Sequence, residues 1–183
     1  MELFDIIAQI IGILAMAFNI LSYQQKTRAQ AIAFQLAGGL LFSINFFMLG
    51  AIVGAVLNAV AVVRAIIFLN KDRLRADRLP WLIGFISVFI LTYILTFTLF
   101  DKEPSAKNLI LESLPVIGMT ATTISFRFTD AGSIRKYGLI SSPAWLIYNV
   151  ANLSVGAILC ETFSLCSILI GMLRFDKKST PAP

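Results

Sequence analysis

KDRLRADR at residues 71–78, followed after Leu79 by PWLIGFISVFILTYILTFTLF at residues 80–100, decides how this chain is organised. A helix rises 1.5 Å per residue, so it crosses roughly 30 Å of hydrocarbon with about 20 apolar residues. The second segment has that length, and the charged turn before it belongs in water. On either side lies the same kind of object, a block of three apolar runs. Three crossings leave a chain on the far side of a membrane, and a fourth brings it back. The second block therefore enters in the same direction as the first, which predicts parallel repeats related by an axis along the membrane normal.

Composition points to the membrane independently. Hydrophobic residues make up 58% of the 183 positions and charged residues 14%, with a mean hydropathy of +0.84, whereas soluble domains are about 25% charged. Seven apolar runs qualify as spans: 4–23, 31–49, 51–69, 80–100, 109–126, 134–153 and 155–173. They are too long and unbroken for barrel strands, which alternate over about ten residues. The predicted fold class is an all-α polytopic membrane protein of seven transmembrane helices. Residues 1–70 form a first three-helix repeat, 71–100 a basic turn and linker helix, 101–178 a second repeat, and 179–183 a disordered tail.

Glu2 and Asp5 stand where a secretory signal would carry cations, and no small-residue cleavage site follows, so the first run is expected to stay in the protein. Lys26, Arg28, Lys71, Arg73, Arg75, Arg78, Arg127, Arg135, Lys136, Arg174, Lys177 and Lys178 fall in alternate loops and the tail, against Lys102 and Lys107 in the others. This bias predicts an N-terminus facing the outside or periplasm and a C-terminus facing the cytoplasm. It also explains the net charge of +5, which therefore points to no nucleic-acid partner.

The repeat is faintly legible residue by residue. A shift of 103 places Gln9, Gly12, Met16, Asn19, Ser22 and Tyr23 on Glu112, Pro115, Met119, Thr122, Ser125 and Phe126; a shift of 104 places Asn45 on Asn149, and one of 102 places Gly54 and Ala55 on Gly156 and Ala157. Two parallel three-helix units joined by a linker helix resemble the PQ-loop and SWEET (MtN3) sugar-transporter architecture, and over its full length the chain resembles the bacterial inner-membrane YgjV family. The stretch Trp145 to Asn149 is similar to the Trp-x-x-Tyr pattern of the second SWEET repeat, and Asn58 and Glu161 fall near the pocket asparagines of those transporters. The chain departs from PQ-loop proteins where they carry Pro-Gln: it has Ser22, Tyr23, Gln24 and then Ser125, Phe126, Arg127.

Polar groups inside hydrocarbon are costly and turn inward. Trp145, Tyr148, Asn149 and Asn152 are spaced i, i+3, i+4, i+7 and share one helix face, while Gln35, Phe42 and Asn45 align similarly beside Gly38 and Gly39. Each amide is by itself as well suited to tying helices together as to lining a pocket. Glu161 is the most costly residue, well inside the last span. Arg64 lies about a turn and a half from the basic end of the third span, and from that depth an arginine is expected to reach the interface. The candidate substrate-binding set is Asn45, Asn58, Trp145, Tyr148, Asn149 and Glu161.

Other chemistries are poorly served. The chain has no histidine, Cys160 and Cys166 stand on different faces of one helix, and there is no Gly-rich phosphate loop. Catalytic residues, metal ligands and cofactors are therefore expected to be none. The expected partners are the lipid bilayer and a small polar solute, with self-association into a homo-oligomer left open. Transport by alternating access is the leading expectation. The alternative is a non-transporting assembly or stability factor.

Overall fold

The computed structural model describes residues 3–48, 52–99, 103–151 and 155–176. Asn152, Lys102, Lys177, Lys178 and the tail lie outside what is described, as do the side chains of residues 52–56, where Gly54 and Ala55 stand, and of 155 and 156. Among the described residues the chain is helical, without strands. Its elements are α1 (Leu3–Ser22), α2 (Arg28–Met48), α3 (Ile52–Leu69), the short α4 (Lys71–Leu74), α5 (Leu79–Thr98), α6 (Ala106–Arg127), α7 (Ala131–Ala151) and α8 (Val155–Gly171), which ends in a π-helical turn, Met172–Asp176. Three described stretches, Leu79–Thr98, Ala106–Arg127 and Ala157–Asp176, are long and apolar enough to cross a membrane; Ile6–Ser22 and Leu57–Leu69 are apolar but shorter.

Local chemistry sets the helix ends. Arg75 takes a left-handed conformation (φ 51°) after α4, and the Ala76 amide returns to the Lys71 carbonyl at 2.9 Å. Pro80 sits in the first turn of α5, where its missing N–H leaves no bond unmade. Ser105 caps α6 by accepting from the Asn108 amide, and Asp130 caps α7 by accepting from the Ser133 amide at 2.7 Å and the Ser133 hydroxyl at 2.8 Å.

The helices pack as two groups. α2 lies between α1 and α3, and α7 lies between α6 and α8. The groups touch through three seams: α1 on α8, α2 on α7 and α3 on α6. α5 leans on α6 and buries only Phe85 and Phe89. Those rings continue into an aromatic stack in which Phe85 and Phe126 stand 6.1 Å and 5.8 Å from Phe68, the last edge-on.

What is buried inverts the pattern of a soluble protein. Ser22, Asn45, Arg64, Thr123, Ser125, Ser142, Asn149, Ser164 and Ser167 are inside, while Ile13, Leu79, Ile83, Ile110, Ile147 and Phe163 are exposed. Such a surface suits hydrocarbon, and such an interior suits helices that bond to one another because lipid offers no partners.

Small residues permit the tightest contacts. At Gly171 a β-carbon would collide with the Tyr23 carbonyl and stand 2.9 Å from Cδ of Arg135. Neither neighbour is free to yield, because Tyr23 lies at the seam between α1 and α8 and Arg135 of α7 is held by the Tyr23 and Gln25 carbonyls and by Asp176. Gly171→Ala should therefore lower the melting temperature, in line with an overpacking cost of about 1–3 kcal/mol. Ala at the open Gly84, which has nothing within 4 Å of such a carbon, should be neutral or slightly stabilising. Thermal unfolding of the two purified variants checks this.

Candidate functional site

The residues singled out from the sequence lie on α2, α3, α7 and α8. Asn45 is buried and donates from Nδ2 to the Ala8 carbonyl at 2.7 Å, with its amide lying against Gly12. It ties α2 to α1. Trp145 lies over Gly118 of α6, its Nε1 2.8 Å from where a β-carbon would be, and meets Tyr148 edge-on at 5.9 Å. Tyr148 is hydrogen-bonded with Glu112 of α6, and Asn149 is buried one position further on. The expected shared face of α7 is thus turned toward α6. Asn58 is half-buried on α3, where its backbone carbonyl passes Gly39 of α2.

Glu161 is placed differently. Its carboxyl is hydrogen-bonded with Ser142 of α7, and Ser142 is also hydrogen-bonded with Tyr23 at the end of α1. Tyr23 lies within electrostatic reach of both Glu161 and Arg64. Arg64 does not reach the interface as expected from its depth. It is 5% exposed, with Nη1 donating to the Met119 carbonyl at 3.2 Å and Thr123 Oγ1 at 3.3 Å, and its Cζ lies 5.2 Å from the Phe126 ring centroid. Its Nε is buried without a hydrogen-bond partner. The cause is direction around the helix: Arg64 and its neighbours Ala65 and Phe68 are all buried along α3, where α6 supplies acceptors and a ring. Ala65 and Phe68 at i+1 and i+4 were the available signal, since an arginine flanked by a small residue and an aromatic on one face has a place to pack.

A polar layer therefore runs from Arg64 and Thr123, through Tyr23 and Ser142, to Glu161. It draws on α3 and the end of α1 from one group and on α6, α7 and α8 from the other.

Below this layer, at the end where the basic loops gather, each group grips the other. Arg28 at the start of α2 donates from Nε and Nη2 to the Phe126 carbonyl at 2.9 and 2.6 Å, and from Nη2 to the Phe68 carbonyl at 2.6 Å. Arg135 on α7 donates from Nη1 to the carbonyls of Gln25 at 3.0 Å and Tyr23 at 3.4 Å, while its Nε and Nη2 bind the Asp176 carboxylate. Gln24 Nε2 donates to the Ser167 carbonyl at 2.5 Å and its hydroxyl at 2.9 Å, and Ser167 Oγ donates to the Ile20 carbonyl at 2.7 Å. Lys71 reaches the carbonyls of Arg127 and Phe128, and Arg127 reaches that of Asp77. The acceptors are mostly carbonyls at helix C-termini, left over by the helix and favourable to cations.

Asp130, in the exposed turn beside this end, is pushed up by burial, but the Ser133 hydroxyl and amide and nearby Lys136 more than offset that and hold it below the ordinary carboxylate value. A depressed carboxyl contributes stability above its unfolded-state value and loses it as pH falls through the folded one. Asp130→Asn should keep a competent cap yet remove this titration. Melting curves across the acidic range should fall less steeply for Asp130→Asn than for the unaltered protein.

Residues 6–179 match the model of the Imp-YgjV family, described as bacterial inner membrane protein. No curated protein and no solved structure matches the chain.

Proposed function

The chain belongs to the Imp-YgjV family of bacterial inner membrane proteins, and we propose that it carries a small polar solute across that membrane by alternating access between two three-helix units. The units are residues 1–70 and 101–178, with 71–100 as the linker and the basic loops on the cytoplasmic side. The observation that carries this reading is the polar layer: Arg64, Tyr23, Thr123, Ser142 and Glu161 come from both groups and meet where the groups meet. Groups of this cost are kept inside a membrane protein mainly along solute and ion pathways.

The seams support a two-fold relation between the units. α1 meets α8 as α3 meets α6, and α2 meets α7, as expected when α1, α2 and α3 correspond to α6, α7 and α8. Arg28 grips the Phe126 carbonyl and Arg135 that of Tyr23, the two positions that a shift of 103 makes equivalent. Side-chain-to-carbonyl bonds of this kind can be exchanged for water one end at a time, so the basic end can open while each unit keeps its own packing.

In this mechanism Glu161, Ser142 and Tyr23 exchange their mutual hydrogen bonds for bonds to the solute, and the Arg64 guanidinium orients its electron-rich part. Removing a charge-assisted hydrogen bond costs about 1.5–3 kcal/mol, so Arg64→Gln should weaken solute binding about 10- to 100-fold. Glu161→Gln should remove any pH dependence of uptake while leaving the fold intact. A ligand-stabilisation screen on the purified protein, followed by uptake into proteoliposomes, tests both.

A second reading is favoured by a specific observation: Asn45 and Trp145 are spent on straps within each group, as in a non-transporting assembly or stability factor. That reading expects Glu161→Gln to alter melting temperature alone and to be silent in every uptake and binding assay.

A further inference from the structure

On the outer surface, α1 and α8 leave a groove of about 400 Å³ lined by Ile20, Gln24, Phe163, Ser167, Ile170 and Arg174, with Cys166 on its wall. Its residues on α8 recur every three or four positions, so they form one stripe running along the helix toward the basic end. Phe163 and Ile170 are each about half exposed, which gives an apolar channel open sideways to hydrocarbon. At its foot stands a cation. Among the described residues Arg174 has one hydrogen bond, to Gln24 Oε1 at 3.4 Å, and its guanidinium lies 5.3 Å from the Phe175 ring centroid. The neighbouring acid, Asp176, is held by Arg135. Among the described residues no carboxylate pairs with Arg174.

We propose that this groove binds a phospholipid with an anionic headgroup, one acyl chain lying along Phe163 and Ile170 and the phosphate resting on Arg174. The charge arrangement favours this occupant over a second copy of the chain. The foot of the groove carries the Arg174 cation at the basic end of the bundle, and a second copy would bring its own basic end to the same level. An apolar channel ending in a cation at one depth matches a lipid's tail and phosphate.

The site has a consequence for the seam. Arg174 touches Gln24, and the same Gln24 amide ties the end of α1 to Ser167 of α8. A phosphate on Arg174 recruits its remaining N–H groups without displacing the Gln24 contact, so a bound lipid splints the α1–α8 seam and stabilises the closed basic end. This holds whether or not the chain is a transporter.

The test uses the purified full chain in a neutral detergent, titrated with phosphatidylglycerol or phosphatidylcholine of the same acyl chains. Two readouts are followed: melting temperature, and the rate at which a maleimide alkylates Cys166, which is exposed, whereas Cys160 is buried. Phosphatidylglycerol should raise the melting temperature and slow Cys166 alkylation at concentrations where phosphatidylcholine does neither. One interfacial cation contributes about 1 kcal/mol, so Arg174→Gln should bind about five-fold more weakly and lose most of the preference. Arg73→Gln, which removes an equal charge from α4, should retain it. Phe163→Trp, which fills the channel, should slow alkylation and lower the affinity for both lipids. Equal effects of the two lipids, an unchanged preference in Arg174→Gln, or Cys166 protection that follows protein concentration and not lipid, as a second copy would give, overturns the proposal.

Discussion

Two arginines hold the basic end together, each bonding to backbone carbonyls of the other half and to a group of its own. Arg28 closes on Phe126 across the seam and on Phe68 in its own half, and Arg135 on Tyr23 and Gln25 across the seam and on the Asp176 carboxylate in its own half. A helix leaves its last carbonyls unbonded, and where the two halves cover them a side chain from the facing half can satisfy them. Arginine suits the task because its planar fork reaches two acceptors at once and its charge favours the negative end of a helix. The rest of the arrangement follows. Gly171 must be bare so that Tyr23 can lie beneath α8, and Tyr23 must lie there to meet Ser142 and, through it, Glu161.

The clamps give Tyr23 and Gln24 their part in the fold. Tyr23 and Gln24 work as the tongue of one half entering the other, Gln24 through its amide and Tyr23 through both its carbonyl and its ring. In the other half, Phe126 supplies the carbonyl to Arg28 and a ring face to Arg64. The two ends are alike in backbone role and unlike in side chain. The polar layer is correspondingly lopsided, with the cation on one side and the carboxyl on the other.

The helices could be read from the sequence because hydrophobic length is a property of one segment at a time. The apolar runs became α1 to α3 and α5 to α8, with shifts of a few residues at their ends; α4 and the π-helical turn were missed because four- and five-residue turns carry no periodic signal. The site was less legible because it depends on direction around each helix and on which neighbour lies there. The i, i+3, i+4 spacing correctly placed Trp145, Tyr148 and Asn149 on one face, yet could not say that α6 would cover it. Asn45 reads the same whether it straps α1 or faces a solute. Depth alone suggested that Arg64 would snorkel, and only the acceptors on α6 explain why it turns inward.

The central claim is that the two halves are joined at the basic end by reciprocal arginine-to-carbonyl clamps. Double electron–electron resonance between spin labels at Lys26 and Thr129, on a background with Cys160 and Cys166 replaced by alanine, tests it most directly. The Arg28→Gln, Arg135→Gln double variant should show a longer and broader Lys26–Thr129 distance distribution, while a Lys26–Asn70 pair within the first half stays as it was. A Lys26–Thr129 distribution that superimposes on that of the protein with both arginines intact would contradict the account.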